Sequence, residues 1–135
     1  MQSFKWEEKY SVGIQSIDDQ HKNIFKFLDK LFEALKSGKA LQTTMGIITE
    51  LENYSIMHFH KEEFFFREFN YADSADHINE HKLFIDKIAA IKADAKSGKL
   101  ASSFELIHFL KGWIDHHILI VDMKYNECFK KNGLR

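Results

Sequence analysis

The sequence has no proline and a single cysteine, Cys128. Without proline, no residue breaks a helix by lacking its N–H. One cysteine excludes an internal disulfide and fits a reducing compartment. Excess charge is missing too: 19 Lys plus Arg stand against 20 Asp plus Glu, a formal net charge of -1. That balance leaves no basic footprint for nucleic acid or an anionic membrane. No apolar run approaches a membrane span, and the stretch from Met1 to Tyr10 is polar rather than leader-like. A cytoplasmic protein with no nucleic-acid partner and no membrane insertion is expected. In excess are 13 Phe and 8 His among 135 residues. A chain of this length buries a sizeable core unaided. Any metal would therefore serve function rather than folding.

Apolar periodicity predicts four helices and no strand. The first is expected over about 18–37, with Asp18 or Asp19 as its cap and Ile24, Phe25, Leu28, Leu31, Phe32 and Leu35 inward. The second spans about 40–69, with Met45, Ile48, Leu51 and Phe65 inward. The third covers about 74–97, with Phe84, Ile88 and Ile91 inward. The fourth runs over about 102–130 through Ile107, Leu110, Ile114 and Val121, with Ser102 and Glu105 forming a capping-box pattern. Residues 1–17 are expected as an ordered arm, because Phe4, Trp6, Tyr10, Val12, Ile14 and Ile17 are too apolar to leave in water. The tetrapeptide Lys36-Ser37-Gly38-Lys39 recurs as Lys96-Ser97-Gly98-Lys99. Either both copies are ordinary helix exits, or they mark two similar hairpins docked about a pseudo-two-fold. Short connections imply antiparallel neighbours. The expected fold is all-α: one domain over 1–135, an up-down-up-down four-helix bundle with an N-terminal arm.

The histidines fall on the apolar faces, since residues three, four or seven apart share a helix face. His21 lies with Ile24, Phe25 and Leu28. His58 follows Leu51 by seven, and Glu62 follows His58 by four. His77 and His81 continue the stripe of Phe84 and Ile88, and His117 lies seven past Leu110. Every helix thus turns an imidazole inward. Burying several imidazoles and a carboxylate costs several kcal/mol unless each finds a partner; one shared cation is more economical than separate private partners. The levels agree as well: His21 and His77 begin their helices, while His58 and His117 lie late in oppositely running ones.

Imidazole and carboxylate donors without thiolate suit iron, manganese or zinc. More than four donors is too many for one tetrahedral zinc, whereas two bridged metals use them all. Ferritin-like sites need paired Glu-x-x-His motifs, and none falls inward here.

The run Trp6-x-x-x-Tyr10-x-Val12-Gly13-Ile14-x-x-Ile17-Asp18-x-Gln20-His21 looks like the N-terminal signature of the bacterial haemerythrins. His58-Phe59-x-x-Glu62-Glu63, His77-x-x-x-His81 and Trp113-x-x-x-His117-Ile118-x-x-x-Asp122-x-x-Tyr125 are similar to the rest. The resemblance implies a centre of two iron ions with an oxo or hydroxo bridge. His77, His81 and His117 would hold one iron, and His21 and His58 the other, with a position left open for dioxygen. Glu62 and Asp122 would bridge them, and Ile24, Phe59, Trp113 and Ile118 would wall the oxygen pocket; plain core packing accounts for those four equally well. The implied function is reversible dioxygen binding for storage, delivery to an oxygen-consuming enzyme, or scavenging, by a monomer. The alternatives are a di-iron peroxidase, a nitric-oxide-handling enzyme, or a sensor of oxygen, redox state or iron, the last disfavoured by the lack of room for an output domain. Few anionic donors stabilise high-valent iron less than carboxylate-rich sites do, which favours binding over catalysis.

One spacing is awkward. Asp122 follows His117 by five residues, about 140° away on an ideal α-helix. A local π-type turn would bring both to one face. His60 is expected at the surface or rim, His108 to be structural or exposed, and His116 to yield to His117, which alone continues the apolar face. The Phe64-Phe65-Phe66 run with Phe69 is expected to be mostly core. Cys128 and the basic run from Lys124 to Lys131 are expected to be structural bystanders.

Overall fold

A computed structural model describes residues 5–99 and 101–134; Phe4 lies outside them. Four helical rods form the bundle. They are α1 (Gln15–Ser37), α2 (Ala40–Glu68), α3 (Ser74–Lys96) and a fourth rod over 101–131. The fourth rod begins as α4 (Ala101–Trp113), widens into a π-helical segment (Ile114–Val121) and tightens to a 3-10 turn (Asp122–Tyr125). It ends as α5 (Asn126–Lys131). Each rod packs on the next, and α4 returns to α1, closing the bundle. No strand occurs among the described residues.

Both Ser-Gly-Lys connections act as helix exits. Gly38 and Gly98 adopt left-handed backbone, with φ of 74° and 78°, which glycine reaches without a Cβ clash. The N–H groups of Lys39 and Lys99 reach back to the carbonyls of Ala34 and Asp94, at 2.9 and 3.2 Å. These bonds occupy carbonyls that the helix end leaves open, so the repeat needs no further explanation.

Two expected caps are not seen. The first helix starts at Gln15 with Ile14 at its cap position, and no side chain caps it. Asp18 instead faces backwards, accepting from Ser11 Oγ at 2.5 Å and from the Val12 N–H at 2.8 Å. It anchors the arm, because an Asp inside the first turn reaches donors of the preceding loop as easily as those of its own helix. Ser102 lies inside α4, fully buried with its Oγ unbonded. Its neighbour Ser103 meets Thr44 Oγ1 across the bundle at 2.6 Å. Asp18→Ala is expected to lower stability by about 1–3 kcal/mol, measured as an earlier urea midpoint with unchanged slope.

Two apolar clusters result. The larger fills the bundle, from Tyr10, Ile24 and Phe25 through Leu51 and Phe84 to Leu110 and Ile118. The smaller joins Val12 and Ile14 of the arm and Ile17 of α1 to Phe66, Tyr71, Tyr125 and Phe129. Of the phenylalanine run, Phe66 is core, Phe65 and Phe69 are partly buried against the smaller cluster, and Phe64 is exposed.

Candidate metal centre

Between the two clusters lie seven buried polar side chains: His21, His58, Glu62, His77, His81, His117 and Asp122. All four rods contribute. His21 lies in the second turn of α1, because that helix begins earlier than its sequence suggests. His77 is in the first turn of α3, with His81 one turn on. His117 lies within the π segment and Asp122 just after it. The Asp122 N–H bonds to the His117 carbonyl, an i to i−5 bond that ties these two residues together. At about 4.4 residues per π turn, five residues end about 50° from eclipse rather than about 140°.

The donor atoms form two facing groups. Glu62, His77, His81 and His117 make one, and His21, His58, Glu62 and Asp122 the other, each with its donor atoms within 4.8 Å of one another. On the first side, His77 Nε2 lies 3.1 Å from His117 Nε2 and 2.9 Å from Asp122 Oδ1. His117 Nε2 is 3.0 Å from the same oxygen, and His81 Nε2 is 3.0 Å from Glu62 Oε1. On the second side, His21 Nε2 lies 3.0 Å from both His58 Nε2 and Asp122 Oδ2. His58 Nε2 is 3.5 Å from Glu62 Oε2. Each carboxylate therefore gives one oxygen to each side.

The imidazole–carboxylate contacts are short without satisfying hydrogen-bond geometry. Both Asp122 oxygens, Glu62 Oε1 and His81 Nε2 are buried and lack a hydrogen-bond partner, although a polar atom of opposite kind lies about 3 Å from each. Lone pairs that converge on a shared point, rather than on one another, give this pattern. Five imidazoles and two carboxylates shared between the groups, with no thiolate, make a donor set that fits two cations side by side.

The outer nitrogens are held from behind. His58 Nδ1 lies 2.6 Å from Gln20 Oε1, His81 Nδ1 2.9 Å from Glu63 Oε2, and His117 Nδ1 2.9 Å from Glu80 Oε1. An N–H given to these oxygens leaves the Nε2 lone pair facing inward. Tyr125 Oη donates to Glu62 Oε2 at 2.5 Å. Glu80 escaped sequence reasoning altogether, and Gln20, Glu63 and Tyr125 stood in the quoted motifs without a role. Their only signal was adjacency to a ligand candidate or, for Tyr125, a place one turn after Asp122.

Ile24, Phe59, Trp113 and Ile118 are all buried in the larger cluster. Phe59 stacks on His81 and Trp113 on His117, each with centroids 3.8 Å apart. His60, His108 and His116 are exposed, and His116 meets the other Glu80 oxygen at 3.3 Å. Cys128 Sγ approaches the Phe69 carbonyl instead of the centre.

Charge in this dry site is tightly matched. Burial and Asp122 push the Glu62 carboxyl up, but the imidazoles of His58 and His81 outweigh them and hold it at about 2. Burial likewise opposes ionised Asp122, yet His117 and His21 keep it well below its ordinary value. Burial would lower His117, but Asp122 and Glu80 carry it to about 9. Burial dominates at His58, which falls to about 3 despite Glu62. The signs give a test on the metal-free protein. Stability from the raised His117 is complete below pH 6.5 and is lost as pH rises through about 9. Stability tied to neutral His58 is present above pH 6.5 and is lost as pH falls through about 3. The metal-free chain should thus be most stable near pH 6.5, with denaturant midpoints falling on both sides. A plateau from pH 5 to 9 would contradict this.

Four rods that converge on two histidine-rich groups able to hold cations place the chain among helical bundles with a candidate two-metal centre. The chain belongs to the hemerythrin family: residues 12–128 match the hemerythrin HHE cation binding domain. It is 31% identical to a bacteriohemerythrin of Clostridium acetobutylicum over 90% of this chain and 98% of that one. It is 33% identical to a hemerythrin-like protein of Naegleria gruberi over 90% of each. Crystal structures of hemerythrin variants superpose with a TM-score of 0.76 at 26% identity, covering 95% of this chain and 98% of those.

Proposed function

We propose that this protein binds dioxygen reversibly at a non-haem di-iron centre, for storage, delivery or scavenging. The observation that carries the proposal is the division of the Glu62 and Asp122 oxygens between two facing imidazole groups. His77, His81 and His117 would hold one iron, and His21 and His58 the other. With one imidazole fewer, the second group would leave room for dioxygen beside its iron. Bound there, a ferrous pair would supply the two electrons and the vacant coordination position that dioxygen binding requires.

The chain's own residues do the rest. Gln20, Glu63 and Glu80 fix three imidazoles in the tautomer that points Nε2 inward. Tyr125 holds the Glu62 carboxylate by its Oε2. Ile24, Phe59, Trp113 and Ile118 exclude water, which would otherwise carry protons to the site. Loading would expel the proton that Asp122 and Glu80 favour on His117, so metal uptake near pH 7 should release protons. Calorimetry in buffers of different ionisation enthalpy measures the release.

The proposal is tested by reducing the iron-loaded protein without oxygen, admitting oxygen, then removing it, while following the optical spectrum. Full return to the reduced spectrum is expected over repeated cycles. One-way oxidation with peroxide turnover would indicate a di-iron peroxidase instead. Metal analysis finding zinc alone would overturn both.

A further inference from the structure

Behind His77 lies a small, partly enclosed cleft of about 100 Å³. It is walled by Tyr71, Asp73, Asp76, His77, Glu80 and Lys124, with Val121 beside them. At about 30 Å³ per water, it has room for about three waters, or for one cation that keeps part of its hydration shell. Asp73 stands at the N-cap of α3, Asp76 in its first turn, and Glu80 one turn on. Asp76 and Glu80 are four residues apart and share a face. Three carboxylates here meet one ammonium.

Acidic residues at a helix start are common, because the helix dipole favours them. Two further atoms point to a ligand. His77 Nδ1 and Tyr71 Oη are buried and have no hydrogen-bond partner, and both residues wall this cleft. The inner nitrogen of His77 is committed to the centre, 2.9 Å from Asp122 and 3.1 Å from His117. Its ring is thus the partition between cleft and centre. An imidazole can present either nitrogen by exchanging tautomers, so the outer edge of His77 can meet a cation before the inner edge receives it. Two larger grooves, beside Trp113 and beside Tyr54, contain none of the seven centre residues among their described walls.

We propose that this cleft is the route by which a divalent cation reaches the three-histidine side of the centre. The proposal rests on the two-metal reading of that centre. Asp73 and Asp76 attract the hydrated ion and hold its waters, and Lys124 opposes them. Glu80 has a second duty, since its Oε1 also fixes His117, and is therefore left intact in the test.

The test is the rate at which metal-free protein takes up cobaltous ion, followed by the visible absorption that appears on nitrogen coordination. The variants are Asp73→Asn with Asp76→Asn, and Lys124→Gln. A charge-matched control is Glu33→Gln with Glu50→Gln, two exposed carboxylates elsewhere on the bundle. The double aspartate variant should load about tenfold more slowly at low ionic strength, the difference shrinking in high salt. Lys124→Gln should load faster, and the control should match wild type. Final stoichiometry and spectrum should be unchanged in all. Equal rates in wild type and the double aspartate variant, or equal slowing in the control, would overturn the route while leaving the centre intact. Failure of the wild-type chain to take up two ions would overturn the two-metal reading, and the route with it.

Discussion

Glu62→Gln is expected to give a chain that folds but cannot hold two metal ions. The carboxylate offers one oxygen to each imidazole group, so amidation removes an anionic donor from both at once. Losing a residue that merely orients a ligand typically weakens metal binding 10–100-fold; loss of a shared donor should exceed about 100-fold. Glutamine keeps the shape, and its carbonyl still accepts from Tyr125. Helicity of the metal-free variant should therefore remain. The measurement is metal per chain after dialysis, compared with wild type. Retention of two ions would mean that Glu62 bridges nothing. Tyr125→Phe provides the graded comparison: the ligand stays, its hydrogen bond goes, and the loss should be the smaller one.

Ile118→Asp is expected to shorten the life of the oxygenated protein at least tenfold. Ile118 is fully buried and directly follows His117. An aspartate there brings water and a proton-exchanging group beside imidazoles that otherwise pack on Phe59 and Trp113. Burying a carboxylate is costly in its own right. Ile118→Thr, one terminal methyl smaller but uncharged, separates polarity from the cost of a buried carboxylate and should shorten the lifetime less. The readout is the first-order decay of the oxygenated spectrum in air. An unchanged rate in both variants would show that dryness at this position does not protect the site.

The bundle was legible because each helix keeps a 3.6-residue apolar stripe with an imidazole on it. Phe84, Ile88 and Ile91 are buried as their spacing requires, and His77 and His81 lie on the same line. The awkward five-residue step from His117 to Asp122 was legible as a strain on the α ladder, and the backbone relieves it with a π segment. The layer behind the imidazoles was not legible. Gln20, Glu63 and Glu80 carried no assigned role in the sequence, and each serves an imidazole on another helix. Their partners depend on how the helices are rotated against one another, which no single-helix periodicity encodes. Asp18 and Ser102 misled for a related reason. Both residue types cap helices, but Asp18 found donors in the arm, and Ser102 lies one residue inside the turn it was expected to start.

The π segment also sets the phase of everything that follows it. Upstream, Leu110 and Trp113 face the larger cluster; downstream, Tyr125 and Phe129 face the smaller one. The extra backbone width works as a one-residue register shift between these two halves. Deleting a single residue between Ile118 and Val121 would restore an ordinary α ladder and swing Asp122, Tyr125 and Phe129 off their faces together. Asp122 with its two shared oxygens, the tyrosine behind Glu62 and the Phe129 ring that packs with Val12 and Ile14 are thus coupled through residue count alone. This stretch should tolerate many substitutions of similar size and almost no change of length.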